Sequence, residues 1–169
     1  MSDPAPVPVG VRRRQSLTAL TVIVAIIVVV VDQLTKSWAV SNLDDHDVHV
    51  VWTLRFHLSF NSGMAFSQGR GFGPLIGVIA LVIVVVLLVS LRTGGSRLTA
   101  VAVGLVVGGA AGNIIDRLFR SGSGVLGGAV VDFIDLQWWP VFNVADACVV
   151  VGGVLLLVSS LFSSRSGPA

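Results

Sequence analysis

The chain has 169 residues, 54% of them hydrophobic and only 12% charged, with a formal net charge of +2 and a mean hydropathy of +0.91. A soluble domain carries about a quarter charged residues, so this composition excludes an ordinary water-soluble fold and points to a bilayer. The bases are scattered, which excludes a nucleic-acid surface, and the lone Cys148 excludes an internal disulfide or a thiolate cluster.

Residues 1–15 read as a disordered tail ending in Arg12, Arg13 and Arg14. The first apolar segment follows over about 17–40, interrupted near its far end by Asp32, Gln33 and Lys36. No small-residue cleavage site follows its apolar stretch, so it reads as a retained helix and not a removed signal peptide. Residues 48–60 alternate apolar and polar, from Val48 to Phe60, with Val51 the exception. Period-two alternation predicts a strand with one greasy face, lying on the membrane or covering the helices. Asn61-Ser62-Gly63-Met64-Ala65-Phe66 reads as a turn closing an outer β segment of about 48–66. His46, His49 and His57 read as solvated strand or loop residues, because no zinc-type spacing links them.

A second apolar segment covers about 74–91, a third 98–118 and a fourth 141–162. Each approaches the roughly 20 residues a helix needs to cross the hydrocarbon core, and only helices satisfy their backbone there. The third carries Gly104, Gly108 and Gly112 at four-residue spacing, a stripe for close helix packing. A Gly/Ser-rich loop, 121–128, leads to Asp132, and 163–169 reads as a second tail. The expected organisation is one compact four-helix transmembrane domain, 16–162, flanked by the two tails. Arg12–Arg14, Arg92, Arg97 and Arg165 fall on one side with Asp3 as the only acid; the other side holds five bases against eight Asp. The triple-Arg start and the short second loop put both termini in the cytoplasm. Trp38, Trp52, Trp138 and Trp139 all fall on the outer side, where an interfacial belt would use them.

All nine acidic residues are Asp, and several converge in depth. Asp32 lies ~22 Å along the first helix at 1.5 Å per residue, with Lys36 one turn further. Asn113, Asp116 and Arg117 end the third segment, Asn143 and Asp146 begin the fourth, and Asp132 lies just before it. Ionisable groups within a span cost roughly 2.5–3.5 kcal/mol each and normally face a partner or a functional cavity. Asp32 and Asp116 have basic neighbours in sequence, whereas Asp132 and Asp146 do not. If those two meet, like charges in a poorly solvated site keep one of them protonated, the arrangement of aspartic proteases.

Five segments, in order, carry a resemblance: Asp32-Gln33-Leu34-Thr35-Lys36; Asn61 to Phe66; Gly108 to Arg117; Val130-Val131-Asp132-Phe133; and Phe142-Asn143-Val144-Ala145-Asp146. Together they resemble the sequence boxes of the signal peptidase II (lipoprotein signal peptidase) family, over about residues 17–162. The resemblance implies an all-α membrane protein of four transmembrane helices, with a small extracytoplasmic β cradle and loop, in the bacterial cytoplasmic membrane. It implies an aspartic endopeptidase that cuts lipid-modified prolipoproteins just before the diacylglyceryl cysteine. By motif, Asp132 and Asp146 match the catalytic aspartates, while Asp32, Lys36, Asn61, Asn113, Asp116, Arg117 and Asn143 match residues that shape and support the site. It further implies no metal or other cofactor, contact with membrane lipid, a monomer, and blockage by globomycin-type inhibitors. Asp135 is a second acid in the same segment, read as a loop residue, and the short stretch from Asp132 to Asp146 leaves that loop's shape open.

Three other readings fit less well. A transporter or channel would spread polar groups over several depths, and here they cluster at one end. A presenilin-like protease would show Gly-x-Gly-Asp, which is absent from the sequence. A purely structural membrane protein has no need of unpaired acids in the outer leaflet.

Overall fold

The fold comes from a computed structural model that describes residues 9–62, 96–121 and 126–164, together with Val78 and Val82. Helix α1 spans Val9–Asn42, strand β1 Val48–Val51 and strand β2 Leu54–Asn61. Helix α2 spans Arg97–Phe119, strand β3 Val130–Asp135 and helix α3 Val144–Ser164. The second apolar segment, 74–91, lies outside the described residues except for Val78 and Val82, both helical. Gly63-Met64-Ala65-Phe66 of the expected turn also lie outside them. The described chain is thus mostly helical with a small sheet. Gln15–Asn42 within α1 and all of α2 are long and apolar enough to cross a membrane; Val144–Ser160 of α3 is a shorter apolar helix.

Helix α1 starts ahead of the apolar segment because arginine is a good helix former and Arg12–Arg14 extend the helix past its greasy stretch. At its other end Asn42 Nδ2 donates to the Trp38 carbonyl at 2.8 Å, satisfying one of the terminal acceptors. Helix α2 opens on an N-cap: Ser96 Oγ accepts from the Thr99 amide at 3.1 Å.

Helix α2 packs between α1 and α3, and glycine sets both contacts. A Cβ on Gly104 or Gly108 would lie under 3 Å from α1 atoms of Val24 and Val28. One on Gly109 would strike the Ala145 carbonyl of α3, and one on Gly152 would lie 2.7 Å from the Ala102 carbonyl of α2. Small residues at these crossings let backbones approach closely, the main source of helix association in lipid. Two hydroxyls add links: Thr21 Oγ1 donates to the Ala100 carbonyl at 3.0 Å, and Thr99 meets Ser159 at 2.9 Å.

The sheet is antiparallel with order β1-β2-β3. The continuous alternation of 48–60 conceals a turn at Trp52-Thr53, with Val51 opposite Leu54. A two-residue turn preserves period two, so one expected strand is in fact a hairpin. The third strand was not expected, because Val130–Asp135 is buried almost throughout and carries no alternation. Asp135, expected in a loop, is therefore a buried strand residue, with Arg55 opposite it in register. The sheet covers the bundle's end: Val48, Phe56 and Leu58 pack on Ala39, Leu43 and Phe133. Trp38 meets Phe56 edge-on with ring centroids 5.5 Å apart.

Candidate active site

Where the sheet meets the three helices, a polar cluster is buried in an otherwise apolar protein. Its base is Lys36, wholly buried, whose Nζ lies 2.9 Å from Asp32 Oδ2, 2.9 Å from Asp116 Oδ2 and 2.9 Å from Asn113 Oδ1. Three donors thus meet three acceptors, which leaves the ammonium fully satisfied away from water. Asp32 also reaches the third helix, its Oδ1 accepting the Ala145 amide at 3.0 Å in the first turn of α3.

Of the two acid–base pairs expected from neighbours in sequence, Asp32–Lys36 forms and Asp116–Arg117 does not. Asp116 bonds Lys36 and, through Oδ1, Arg120 Nε at 2.8 Å; Arg117, its expected partner, makes no ion pair with it among the described residues. One helical turn separates Asp116 from Arg120, so they share a face, whereas Arg117 points elsewhere. Arg117 is buried within electrostatic reach of Asp132, Asp146 and Asp116, and its Nη1 has no hydrogen-bond partner among the described residues.

Above this base, Asn143 organises the remaining acids. It stands at the N-cap of α3: its Oδ1 accepts the Asp146 amide at 3.0 Å, while Asp146 Oδ2 accepts the Asn143 amide at 3.2 Å. This reciprocal arrangement is a capping box with aspartate in the acidic position. Asn143 Nδ2 donates to Asp132 Oδ1 at 2.7 Å, and Asn61 Nδ2 to Asp132 Oδ2 at 3.1 Å. Asn113 Nδ2 holds the other oxygen of Asp146 at 2.8 Å, and its Oδ1 faces Lys36. All nine predicted site residues therefore gather in one cluster. Asp132 and Asp146 make no ion pair among the described residues. Burial, and then the nearby charge of Asp146, push the Asp132 carboxyl up to about 7, moderated by its two amide donors.

Several contributors were missed in sequence. Gln33 Nε2 lies 3.2 Å from Asp32 Oδ2, 3.2 Å from the Gly112 carbonyl and 3.3 Å from Asp116 Oδ1, tying α1 to α2. Its position next to Asp32 gave a hint, and the i, i+4 spacing of Asp116 and Arg120 was readable directly. The Val131 amide, which donates to Asp116 Oδ2 at 3.1 Å, leaves no trace in sequence. Asp135 lies outside the cluster, bound to Arg55 at 2.7 Å. Arg55 also pairs at 2.7 Å with Asp47, which His57 meets at 2.7 Å; the His57 hydrogen bond holds Asp47 below its ordinary carboxylate value. Cys148 is half-buried and free.

Gly112 has little room for a side chain, because a Cβ there would lie 2.5 Å from Asp32 Oδ2. Gly112→Ala is expected to push α1 from α2 at the level of Lys36 and cost about 1–3 kcal/mol. Thermal unfolding in detergent, alongside Ala111→Gly as a control, checks this.

Helices long and apolar enough to cross a bilayer, with buried acids gathered under a sheet at one end, fit the class of membrane enzymes. Two solved structures of bacterial membrane enzymes share the architecture. One is 27% identical with a TM-score of 0.74, covering 88% of this chain and 91% of that one; the other is 28% identical with a TM-score of 0.70, covering 83% and 92%. The family model described as signal peptidase (SPase) II matches residues 24–162. A lipoprotein signal peptidase of Rhodococcus jostii (strain RHA1) is 41% identical over 160 residues, 92% of this chain and 77% of the relative. One from Mycobacterium tuberculosis (strain ATCC 25618 / H37Rv) is 42% identical over 141 residues, 82% of this chain and 69% of the relative. The chain belongs to the signal peptidase II family.

Proposed function

We propose that this chain is an aspartic endopeptidase of the bacterial cytoplasmic membrane that removes signal peptides from prolipoproteins, with Asp132 and Asp146 as its catalytic pair. One observation carries the assignment. Asp32, Asp116 and Asp135 are neutralised by Lys36, Arg120 and Arg55, whereas Asp132 and Asp146 share Asn143 and make no ion pair among the described residues. In this reading the chain has four spanning helices, the second over about 74–91, with both termini cytoplasmic and the sheet outside. The active site then lies near the outer leaflet, within reach of a lipid-bearing cysteine. The substrate carries diacylglycerol on that cysteine, and the cut falls just before it.

The chemistry follows from one proton shared by two carboxyls. Asp132, titrating near 7, is the acid, and Asp146 is the carboxylate. Asp146 takes a proton from water as the oxygen attacks the scissile carbonyl, while Asp132 gives its proton to the carbonyl oxygen. The neutral gem-diol then collapses: a proton passes from Asp146 to the departing amine as the C–N bond breaks, and the diol returns one to Asp132. Asn143, Asn61 and Asn113 hold both carboxyls in place. Arg117, whose Nη1 has no partner among the described residues, offers an N–H to the substrate and spreads positive charge toward the pair. Membrane lipid surrounds the helices, a monomer suffices, and globomycin-type inhibitors compete at this site.

The direct test incubates the purified protein, in detergent or lipid, with a diacylglyceryl-modified prolipoprotein and follows the loss of the signal peptide on a gel. An intact substrate that a known signal peptidase II cuts would sink the proposal. The pair also predicts a pH profile. As pH rises through about 7, Asp132 loses its proton and the singly protonated pair disappears, so kcat/KM falls about tenfold per unit above that point. An activity that stays flat to pH 9 would assign the acid elsewhere.

A further inference from the structure

Helix α2 ends at Phe119, and the carbonyls of its last turn need partners from beyond the helix. The Asp116 carbonyl accepts the Arg120 amide at 2.9 Å, and the Arg117 carbonyl accepts the Gly128 amide at 3.0 Å. Gly128 sits close against this helix end. A Cβ there would lie 2.6 Å from the Asp116 carbonyl oxygen, 2.7 Å from that of Arg120 and 2.9 Å from that of Arg117. All three are backbone atoms, so none can swing aside as a side-chain tip would. The φ of Gly128 lies outside the left-handed region, so space and not conformation demands glycine here. Further along, the Val131 amide donates to Asp116 Oδ2 at 3.1 Å, and Val130 and Val131 are both buried. The stretch 128–131 is therefore pinned to the last turn of α2 at both ends, and Asp132 follows directly.

We infer that Gly128 is a positioning residue for cleavage: its bare backbone, seated on the carbonyl end of α2, sets the reach of Asp132 toward Asn143 and Asn61. The inference rests on Asp132 belonging to the catalytic pair. The Asp132 carboxyl takes its donors from two other elements, Asn143 at the start of α3 at 2.7 Å and Asn61 at the end of β2 at 3.1 Å. The closeness of β3 to α2 thus decides whether both donors are met at once. Making room for a Cβ moves the start of β3 off the helix end by roughly 0.5–1 Å. A catalytic constellation needs its groups held to about 0.5 Å, and a misplacement of about 1 Å costs on the order of 10²-fold in rate. The base of the cluster tolerates that movement, because Asp116 keeps Lys36 and Arg120 whether or not the Val131 amide stays bound.

The test follows cleavage of a diacylglyceryl-modified prolipoprotein by full-length Gly128→Ala in detergent, with rates taken per folded molecule. The expected result is a fall in kcat of about 10²-fold with KM held within about threefold, since a reacting group has moved and no binding surface has been cut away. The fall in activity that begins near pH 7 should also move up by about half a unit or more, because Asn61 and Asn143 hold the Asp132 carboxyl down and lose contact with it. Gly153→Ala, where a Cβ meets nothing within 4 Å, should keep wild-type kcat and pH profile. A Gly128→Ala protein with wild-type kcat and an unmoved profile overturns the inference, as does a loss confined to KM or to the folded fraction. Should that variant not fold, a backbone ester at position 128 removes the N–H to the Arg117 carbonyl and adds no bulk. Its kcat should fall roughly three- to tenfold at unchanged KM, and an unchanged kcat overturns the inference. A wild type that leaves the substrate intact, or an active Asp132→Asn, would overturn the proposed function itself and is read separately in the same assay.

Discussion

Asp132→Asn and Asp146→Asn each reduce prolipoprotein cleavage at least about 10³-fold, the expected consequence of removing one member of an acid–base pair. The double variant falls no further than either single one, because groups acting as a unit give grossly non-additive losses. Cleavage rates on a gel, with expression and thermal midpoint matched to wild type, check both points. Asp135→Asn is the informative control. It removes a similarly buried carboxyl of β3, three residues from Asp132, but one bound to Arg55 and outside the cluster. It should keep activity within a fewfold and cost about 1–3 kcal/mol of stability through the lost charged hydrogen bond. If Asp135→Asn were silent in cleavage and Asp132→Asn also retained full rate, the pair would be misassigned.

The stability of the Asp132 variant should also lose a pH dependence. The folded Asp132 binds its proton up to about 7, against 3.8 for an ordinary carboxyl. Between those values the native state holds more protons than the unfolded chain, so native stability declines as pH rises through this window. Asp132→Asn lacks the titrating group, and its thermal midpoint should change less over the same range. This outcome separates a dead enzyme from an unfolded one.

Much of this arrangement was legible because the bilayer simplifies reading. In a chain with so few charges, each polar residue within an apolar segment stands out, and counting along segments put Asp32, Asp116 and Asp146 at one depth. Depth is a one-dimensional quantity that sequence carries; rotation about a helix axis and side-chain direction are not. So the order of the acids and the Asp32–Lys36 pair were readable, whereas the links between helices were not: Lys36 also bridges to Asp116 on the next helix, and Arg117 leaves Asp116 to Arg120. The sheet was half legible for a related reason. The Val48–Phe60 alternation revealed strand character but hid the Trp52-Thr53 turn, since a two-residue turn keeps the period. Strand β3 was hidden because burial on both faces removes alternation.

Lys36→Met is expected to be the most destabilising single change in the protein, by about 3–5 kcal/mol. The wild-type ammonium has no exposed surface and neutralises Asp32 and Asp116 together. Methionine fills a similar volume but leaves two buried carboxylates with less counter-charge, which is the costly half of a broken ion pair. Lys36→Arg should fare little better, because a planar guanidinium cannot direct donors at three acceptors grouped around a compact ammonium. The midpoint of unfolding in detergent should drop by roughly 10 °C or more. Cleavage should fall as well, since Asn113 Oδ1 loses its ammonium donor and keeps only the longer one from Asn143, while Asn113 holds Asp146 from the other end. The triple variant Asp32→Asn, Lys36→Met, Asp116→Asn removes the lysine and both carboxylates it neutralises, leaving the part-exposed Arg120 to solvent and keeping an acceptor for the Ala145 and Val131 amides. It should recover at least half of the lost stability, because absent charge costs less than unpaired charge. If the triple variant is no more stable than Lys36→Met alone, packing around the lysine stem, and not charge, holds α1 to α2 at this depth.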